Sequence, residues 1–220
     1  MKKLSVSLLL IAIFSLSFSV NANERKCGSL DNHFGPFDYY DPANHQSTGA
    51  QSQGKIRIVT KRHLTKSMLR LKRGSTGSIA DDLDYTLRAI PNHPKGLDLA
   101  SRFELERKNS ATFAKRHKKL FLSADCYFER AMRFQPEEGE TAMIYGIHKH
   151  RFKQYDQAVV AYKKAERLGL DNIQLSYNLA LSYVAMQNYE AALPIAKQVY
   201  AEGFPLDGLK NKLISAGVWQ

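Results

Sequence analysis

The side chains that could do chemistry in this chain are spaced in ways that rule most of it out. His148 and His150 stand two apart, so on a helix they face different ways and cannot close on one metal ion. The seven histidines form no His-Glu-x-x-His, no cysteines stand as Cys-x-x-Cys, and no serine stands in Gly-x-Ser-x-Gly. GSTGS, residues 74–78, has the glycine spacing of a phosphate loop but lacks its Gly-Lys-Ser/Thr, so it reads as a turn. No convergent set of titratable residues can be assembled. Neither catalysis, nor a cofactor, nor a bound metal is expected. What remains is Cys27, Cys126 and two basic runs. One run is Lys61, Arg62, Lys66, Arg70, Lys72 and Arg73; the other is Lys115, Arg116, Lys118 and Lys119. Runs of this kind bind anionic polymers by releasing counterions. The plainer reading of both is a solvated face.

The compartment decides what these groups meet. Lys2 and Lys3 precede an apolar run, residues 4–20, that is diluted by serines. Val20-Asn21-Ala22 then fits a small-residue cleavage site. Residues 1–22 are therefore expected to be a signal peptide, cleaved after Ala22. A membrane anchor would need about 20 strongly apolar residues. Glu24, Arg25 and Lys26 before Cys27 do not suit a lipoprotein. The short basic start and the absence of an Asn-X-Ser/Thr sequon point to a bacterial periplasm. There, two cysteines with no third are a disulfide candidate. A formal net charge of +11 favours anionic partners. In the envelope these would be lipid head groups, lipopolysaccharide or cell-wall polymers. No nucleic acid is expected, and membrane contact is expected only through the leader.

The elements that must position these groups read as helices. In SIADDLDYTLRAIPNHP, Ser78 is a candidate N-cap, Asp81 and Asp82 suit a first turn, and Pro91 ends the helix. A further helix is expected over 94–107. LTKSMLRLKRG reads as a short basic amphipathic helix. KIRIVT, residues 55–60, alternates Ile56 and Ile58 and reads as a strand. Residues 42–54 read as a loop.

The second half repeats with a period of about 34 residues. Ala142 aligns with Ser176, Tyr145 with Leu179, Gly146 with Ala180, Tyr155 with Tyr189, and Ala158 with Ala192. One period earlier stand Ala124, Phe128 and Ala131, with Pro136 closing that helix. On these residues the chain resembles the tetratricopeptide-repeat family. That family has a small eighth residue (Gly146, Ala180), alanine at the twentieth (Ala124, Ala158, Ala192), and an aromatic at the twenty-fourth (Phe128, Tyr162). Alanine follows at the twenty-seventh (Ala131, Ala165). Only Gly or Ala lets two antiparallel helices approach where the eighth and twentieth positions meet. The likeness runs over residues 120–205. It departs at Ala196 and Val199, which replace an aromatic and an alanine, and at Pro194 inside a helix. Glu104 stands at the eighth position of the first copy, which carries roughly eight extra residues near RKNSATFAKRHKK.

The resemblance implies an all-α fold, a helical solenoid with an irregular N-terminal extension. Its expected parts are an extension over 23–77 and a capping helix region over 78–96. A repeat with an insertion follows over 97–138, then repeats over 139–172 and 173–206. A closing helix over 207–220 would cover the last apolar face with Leu209, Leu213 and Trp219. The resemblance also implies a concave groove lined by Glu140, Met143, Ile144, Ile147, His150 and Arg151. The next repeat would add Gln174, Tyr177, Asn178, Leu181, Val184 and Ala185. Asn178 matches the asparagine with which many such repeats hold a peptide backbone. Met143 and Ile144 stand where clamping members place Lys or Arg, so no carboxylate clamp is implied. The function expected is protein–protein interaction, with a peptide or helix in the groove. The alternative is binding of anionic envelope polymers or lipids through the basic runs.

Cys126 would be the twenty-second residue of its repeat, about 200° around the helix from Ala124. It faces away from the packed side and needs a cover. Cys27 is the expected cover, with Phe34, Phe37, Tyr39 and Tyr40 burying themselves on the helices beside it. The alternative is two free thiols and a loose N-terminal segment.

Overall fold

The computed structural model describes residues 26–48 and 53–220. The expected signal peptide lies outside them. Eleven α-helices lie wholly among the described residues, which contain no β-strand. They are α1 Lys55–His63, α2 Lys66–Leu69, α3 Ile79–Ala89, α4 Pro94–Asn109, α5 Ala111–Arg116, α6 Ala124–Phe134, α7 Gly139–Arg151, α8 Tyr155–Arg167, α9 Ile173–Ala185, α10 Tyr189–Ala201 and α11 Gly208–Ser215.

Local chemistry sets most boundaries. Ser78 and Asp81 form a reciprocal capping box at the start of α3. His93 caps α4 by accepting from the Gly96 N–H, and Pro94 follows, where its missing N–H costs nothing. Ser110, Ser123, Asn172 and Asn188 cap α5, α6, α9 and α10 in the same way.

The strand expected over residues 55–60 is helix α1. The period-2 alternation of Ile56 and Ile58 yields to the i, i+3 pair Ile56 and Val59, which are the residues α1 buries. A strand needs a ladder partner, whereas this helix finds an apolar wall at Ala89 and Ile90.

Helices α7 to α10 repeat one geometry. Each has 13 residues. Each pair turns through a left-handed residue, Lys153 at φ 61° and then Gln187 at φ 59°. Each ends at a left-handed glycine, Gly169 and then Gly203, both at φ 81°. Within the first pair, a Cβ on Gly146 would lie 2.4 Å from the fully buried Tyr162 ring. The absent side chain is what lets α7 and α8 close together. In α10, Ala196 and Val199 are buried where the repeat pattern has an aromatic and an alanine. In α4, Glu104 does not pack as a small residue; its Oε1 accepts the Ala124 N–H at 2.8 Å at the start of α6.

Three apolar clusters result. One spans α2 to α6, with Met68, Leu83, Leu97, Phe103, Tyr127 and Phe128 buried. A second spans α7 to α11, with Tyr162, Leu175, Leu179, Val199, Leu209 and Leu213 buried. Leu209 and Leu213 of α11 are fully buried, while Trp219 is half-buried with its ring 5.6 Å from that of Tyr200. The third is small: Ile56, Val59, Ala89 and Ile90, covered by Phe34, Phe37 and Tyr39 of the N-terminal segment.

That segment, residues 26–48, crosses the helices and is fastened at several points. Cys27 and Cys126 form a disulfide with Cα atoms 5.0 Å apart, and both residues are buried. Arg130 donates to the Cys27 carbonyl at 3.4 Å and to that of Ser29, and Arg133 donates to the Gly28 carbonyl at 2.7 Å. The Phe37 N–H donates to the Ala89 carbonyl at 2.8 Å. Asp38 accepts from Asn92 at 2.7 Å and Gln135 at 2.8 Å. Tyr40 is half-buried, and burial followed by the nearby Glu138 pushes its hydroxyl pKa up.

Candidate functional site

Two cavities open where α7, α8, α9 and α11 meet. The smaller, about 270 Å³, is lined by Ile147, His150, Arg151, Tyr162, Asn178 and Leu181. The larger, about 570 Å³, is lined by His150, Tyr155, Leu181, Val184, Ala185 and Tyr189, with Asn211, Lys212, Ser215 and Ala216 of α11 opposite. His150 and Leu181 belong to both walls.

The polar groups of this cleft have defined roles. The Ser182 hydroxyl donates to the Asn178 carbonyl at 3.0 Å. Its oxygen is therefore an acceptor toward His150 Nδ1 at 2.8 Å, which places the imidazole proton on Nδ1. Burial, then the positive charge of Lys212, holds the His150 pKa down. At neutral pH the ring is thus uncharged, with Nε2 an acceptor. Asn178 Oδ1 accepts from Gln174 Nε2 at 3.2 Å, and the Asn178 amide N–H groups donate to nothing among the described residues. Arg151 faces inward: it donates to Asp98 at 2.8 Å and to the Ser101 hydroxyl. The cleft therefore presents the His150 acceptor and the Asn178 donor pair beside Ile147 and Leu181, with Lys212 and the polar side chains of Tyr155, Tyr189, Asn211 and Ser215 around its wider part. A peptide backbone offers the matching donor and acceptor.

Of the residues expected in the groove, Ile147, His150, Arg151, Asn178 and Leu181 are gathered here. Met143 and Tyr177 are not. Met143 packs against the C-terminal cluster. Tyr177 is buried, with its ring 4.3 Å from that of Phe204, and a Cβ on Gly208 would lie 3.1 Å from its hydroxyl. Helix α11 and the turn before it occupy the place that a ligand of Tyr177 would need. The wall from α11 was missed: Leu209 and Leu213 mark its buried face, but no repeat position marks Asn211, Lys212, Ser215 and Ala216 as lining a groove.

Sequence spacing also concealed a polar trio. Ser101, Asp125 and His148 come from α4, α6 and α7. His148 Nδ1 lies 2.9 Å from Ser101 Oγ, and Nε2 lies 3.4 Å from Asp125. Lys149 holds the same Asp125 at 2.5 Å. The hydrogen bond from His148, then Lys149, keeps the Asp125 carboxyl well below its usual range. Ser101 is wholly buried, and its oxygen already serves both His148 and Arg151. A substrate has no approach to it, so the trio is a seam between helices.

The second basic run is partly neutralised. Lys118 pairs with Asp81, which it holds at a pKa of about 2, and sits 4.9 Å from the centre of the Phe121 ring. Lys115, Arg116 and Lys119 are exposed. Among the described residues, no group of three His, Cys, Asp or Glu is placed to hold a metal ion. None of the described helices is long and apolar enough to cross a membrane.

No family model, curated protein or solved structure matches this chain. The geometry must carry the functional argument by itself.

Proposed function

We propose that this chain is a non-catalytic protein-interaction module, a tetratricopeptide-like solenoid whose cleft takes a segment of another protein. The observation that carries this reading is the cleft wall of Ile147, His150, Asn178 and Leu181. It pairs a neutral acceptor and a spare amide donor beside two apolar side chains, which suits an extended peptide. The equal lengths and matching turns of α7 to α10 support the solenoid part of the reading. The Cys27–Cys126 disulfide fits an oxidising compartment, and with the expected leader it favours the periplasm.

The test is a peptide-library selection on the disulfide-intact protein, followed by calorimetric titration of the selected peptides. Leu181→Lys and Asn178→Ala are expected to weaken binding by about tenfold each, as truncations at a buried contact do. Added salt is expected to change affinity little. Failure to select any peptide, or affinities indifferent to both substitutions, would end this reading. The alternative, an anionic envelope polymer on Lys115, Arg116, Lys118 and Lys119, predicts affinity that falls steeply with salt and is lost when these become glutamate.

A further inference from the structure

A separate cavity of about 480 Å³ lies under the N-terminal segment, away from the peptide cleft. Its walls come from Tyr39 and His45 of that segment, from α1 and α2, and from the start of α4. Three permanent cations line it: Arg57 and Lys61, one turn apart on α1, and Lys95 in the first turn of α4. Among the described residues, no carboxylate lines it. None of the three cations forms an ion pair among the described residues. Lys95 is placed against the dipole of its own helix, where an acidic residue would be favoured and a cation is not. Arg57, Lys61 and Lys95 are exposed and unopposed about one hollow, one of them at the unfavourable end of a helix, and give its mouth a positive potential.

His93 adds a buried donor. It is 3% exposed and lines the same cavity. Its Nδ1 accepts the Gly96 N–H at 3.3 Å, so the ring proton sits on Nε2. That N–H donates to nothing among the described residues. Burial, followed by the charges of Lys95 and His45, lowers the His93 pKa to about 3, which keeps the ring neutral and this tautomer in place. The remaining walls are Ile56, Leu64, Leu69 and the Tyr39 ring, which are apolar, with His45 and Thr60, whose hydroxyl is bonded to the Ile56 carbonyl.

Wall chemistry and donor geometry select the ligand. A lone phosphate would leave the walls at Ile56, Leu64 and Leu69 without an apolar partner. Cations arriving from two helices, with an imidazole N–H beside them, suit a tetrahedral dianion better than a planar carboxylate. We propose that this cavity binds a phosphate ester carrying an apolar group, with the phosphate on Arg57, Lys61, Lys95 and His93 and the apolar portion against Ile56, Leu64 and Leu69. The ester has two possible sources, a soluble metabolite or a lipid head group. The site stands whether or not the cleft at α7 and α9 takes a peptide.

The experiment is calorimetric titration of the disulfide-intact protein with octyl phosphate and with inorganic phosphate. Octyl phosphate is expected to bind saturably and more tightly than inorganic phosphate. The double variant Arg57→Gln/Lys61→Gln is expected to weaken it by about tenfold or more, as loss of charge-assisted hydrogen bonds does. His93→Asn keeps an N-cap acceptor but loses the Nε2–H, and should weaken binding several-fold. The control pair Lys153→Gln/Lys197→Gln removes equal charge from exposed positions elsewhere and should leave affinity within about twofold, the effect of a screened surface charge. Vesicles of phosphatidylcholine with and without phosphatidic acid, a phosphate monoester like octyl phosphate, separate the sources. Binding that needs phosphatidic acid and the cavity residues assigns a lipid head group, and binding of octyl phosphate alone assigns a soluble ester. Absence of saturable binding, or a control pair as damaging as the cavity pair, overturns the proposal. Should His93→Asn fail to fold, the imidazole resonances of the unaltered protein decide: they must shift at His93 on addition of octyl phosphate, and unshifted resonances also overturn it.

Discussion

Glu138 shows how a single side chain can carry a cost that its sequence neighbours do not reveal. It caps α7, with Oε1 accepting the Glu140 N–H at 3.1 Å. Burial, then Glu140, then Asp38 from the distant N-terminal segment raise its pKa to about 8 from 4.5. A carboxyl whose folded pKa is raised stabilises the fold fully below its unfolded value and loses that contribution as pH rises through the folded value. The protein should therefore lose stability from this group between pH 4.5 and about 8. Glu138→Gln keeps the capping oxygen and removes the titration. The melting temperature of the variant is expected to gain on that of the parent as pH rises across this window, measured by thermal melts in a buffer series. A gap that stays constant with pH would remove Glu138 from the pH response. The Ser78–Asp81 capping box was legible because both partners lie within one turn. The raised pKa of Glu138 was not, because its largest cause is burial, which only the packed fold sets.

At the scale of elements, the helices whose apolar spacing is confirmed by a repeat or a cap could be read directly. The 94–107 helix differs from α4 only at its end, and α3 starts at Ile79, just after the expected cap Ser78. Helix α1 was misread because its short apolar set satisfies both periods, and only the wall at Ala89 and Ile90 decides between them. The cysteine pairing was legible because Cys126 lies on a face that needs covering. Its energetic weight follows from the loop it closes. The cysteines are 99 residues apart, so reduction or substitution releases a long loop into the unfolded ensemble. A Cys27→Ser/Cys126→Ser variant is expected to lose about 2–4 kcal/mol of unfolding free energy in denaturant titrations. Hydrogen exchange should rise over residues 26–48 and remain low in α9 and α10. Unchanged stability and exchange would mean that Arg130, Arg133 and the aromatic contacts hold the segment without the covalent bond.

For the molecule as a whole, the question is how two apolar clusters behave as one folding unit. Helix α7 faces both, giving Ile144 and Tyr145 to one and Ala142, Met143 and Ile147 to the other. Between them runs the seam in which Ser101 serves His148 and Arg151, Asp98 holds Arg151, and Asp125 holds Lys149. None of this was legible in advance, since the seam residues come from separate helices and follow no motif. Ser101→Ala leaves the buried His148 Nδ1 without the hydroxyl that serves it, at a cost of about 1–3 kcal/mol, and takes one acceptor from the part-exposed Arg151, which keeps Asp98. The penalty falls on the junction and leaves both clusters intact. Trp219, the sole tryptophan, reports on the C-terminal cluster alone, whereas far-ultraviolet circular dichroism reports on all the helices. In the unaltered protein the two signals should unfold together in urea. In Ser101→Ala the Trp219 transition should move to lower urea than the dichroism midpoint, while Ser215→Ala, which loses only an exposed bond to Asn211, should leave both in place. Coincident curves for Ser101→Ala would show that the apolar contacts of α7 alone couple the halves, because a junction that depended on the polar seam could not lose it and still unfold as one.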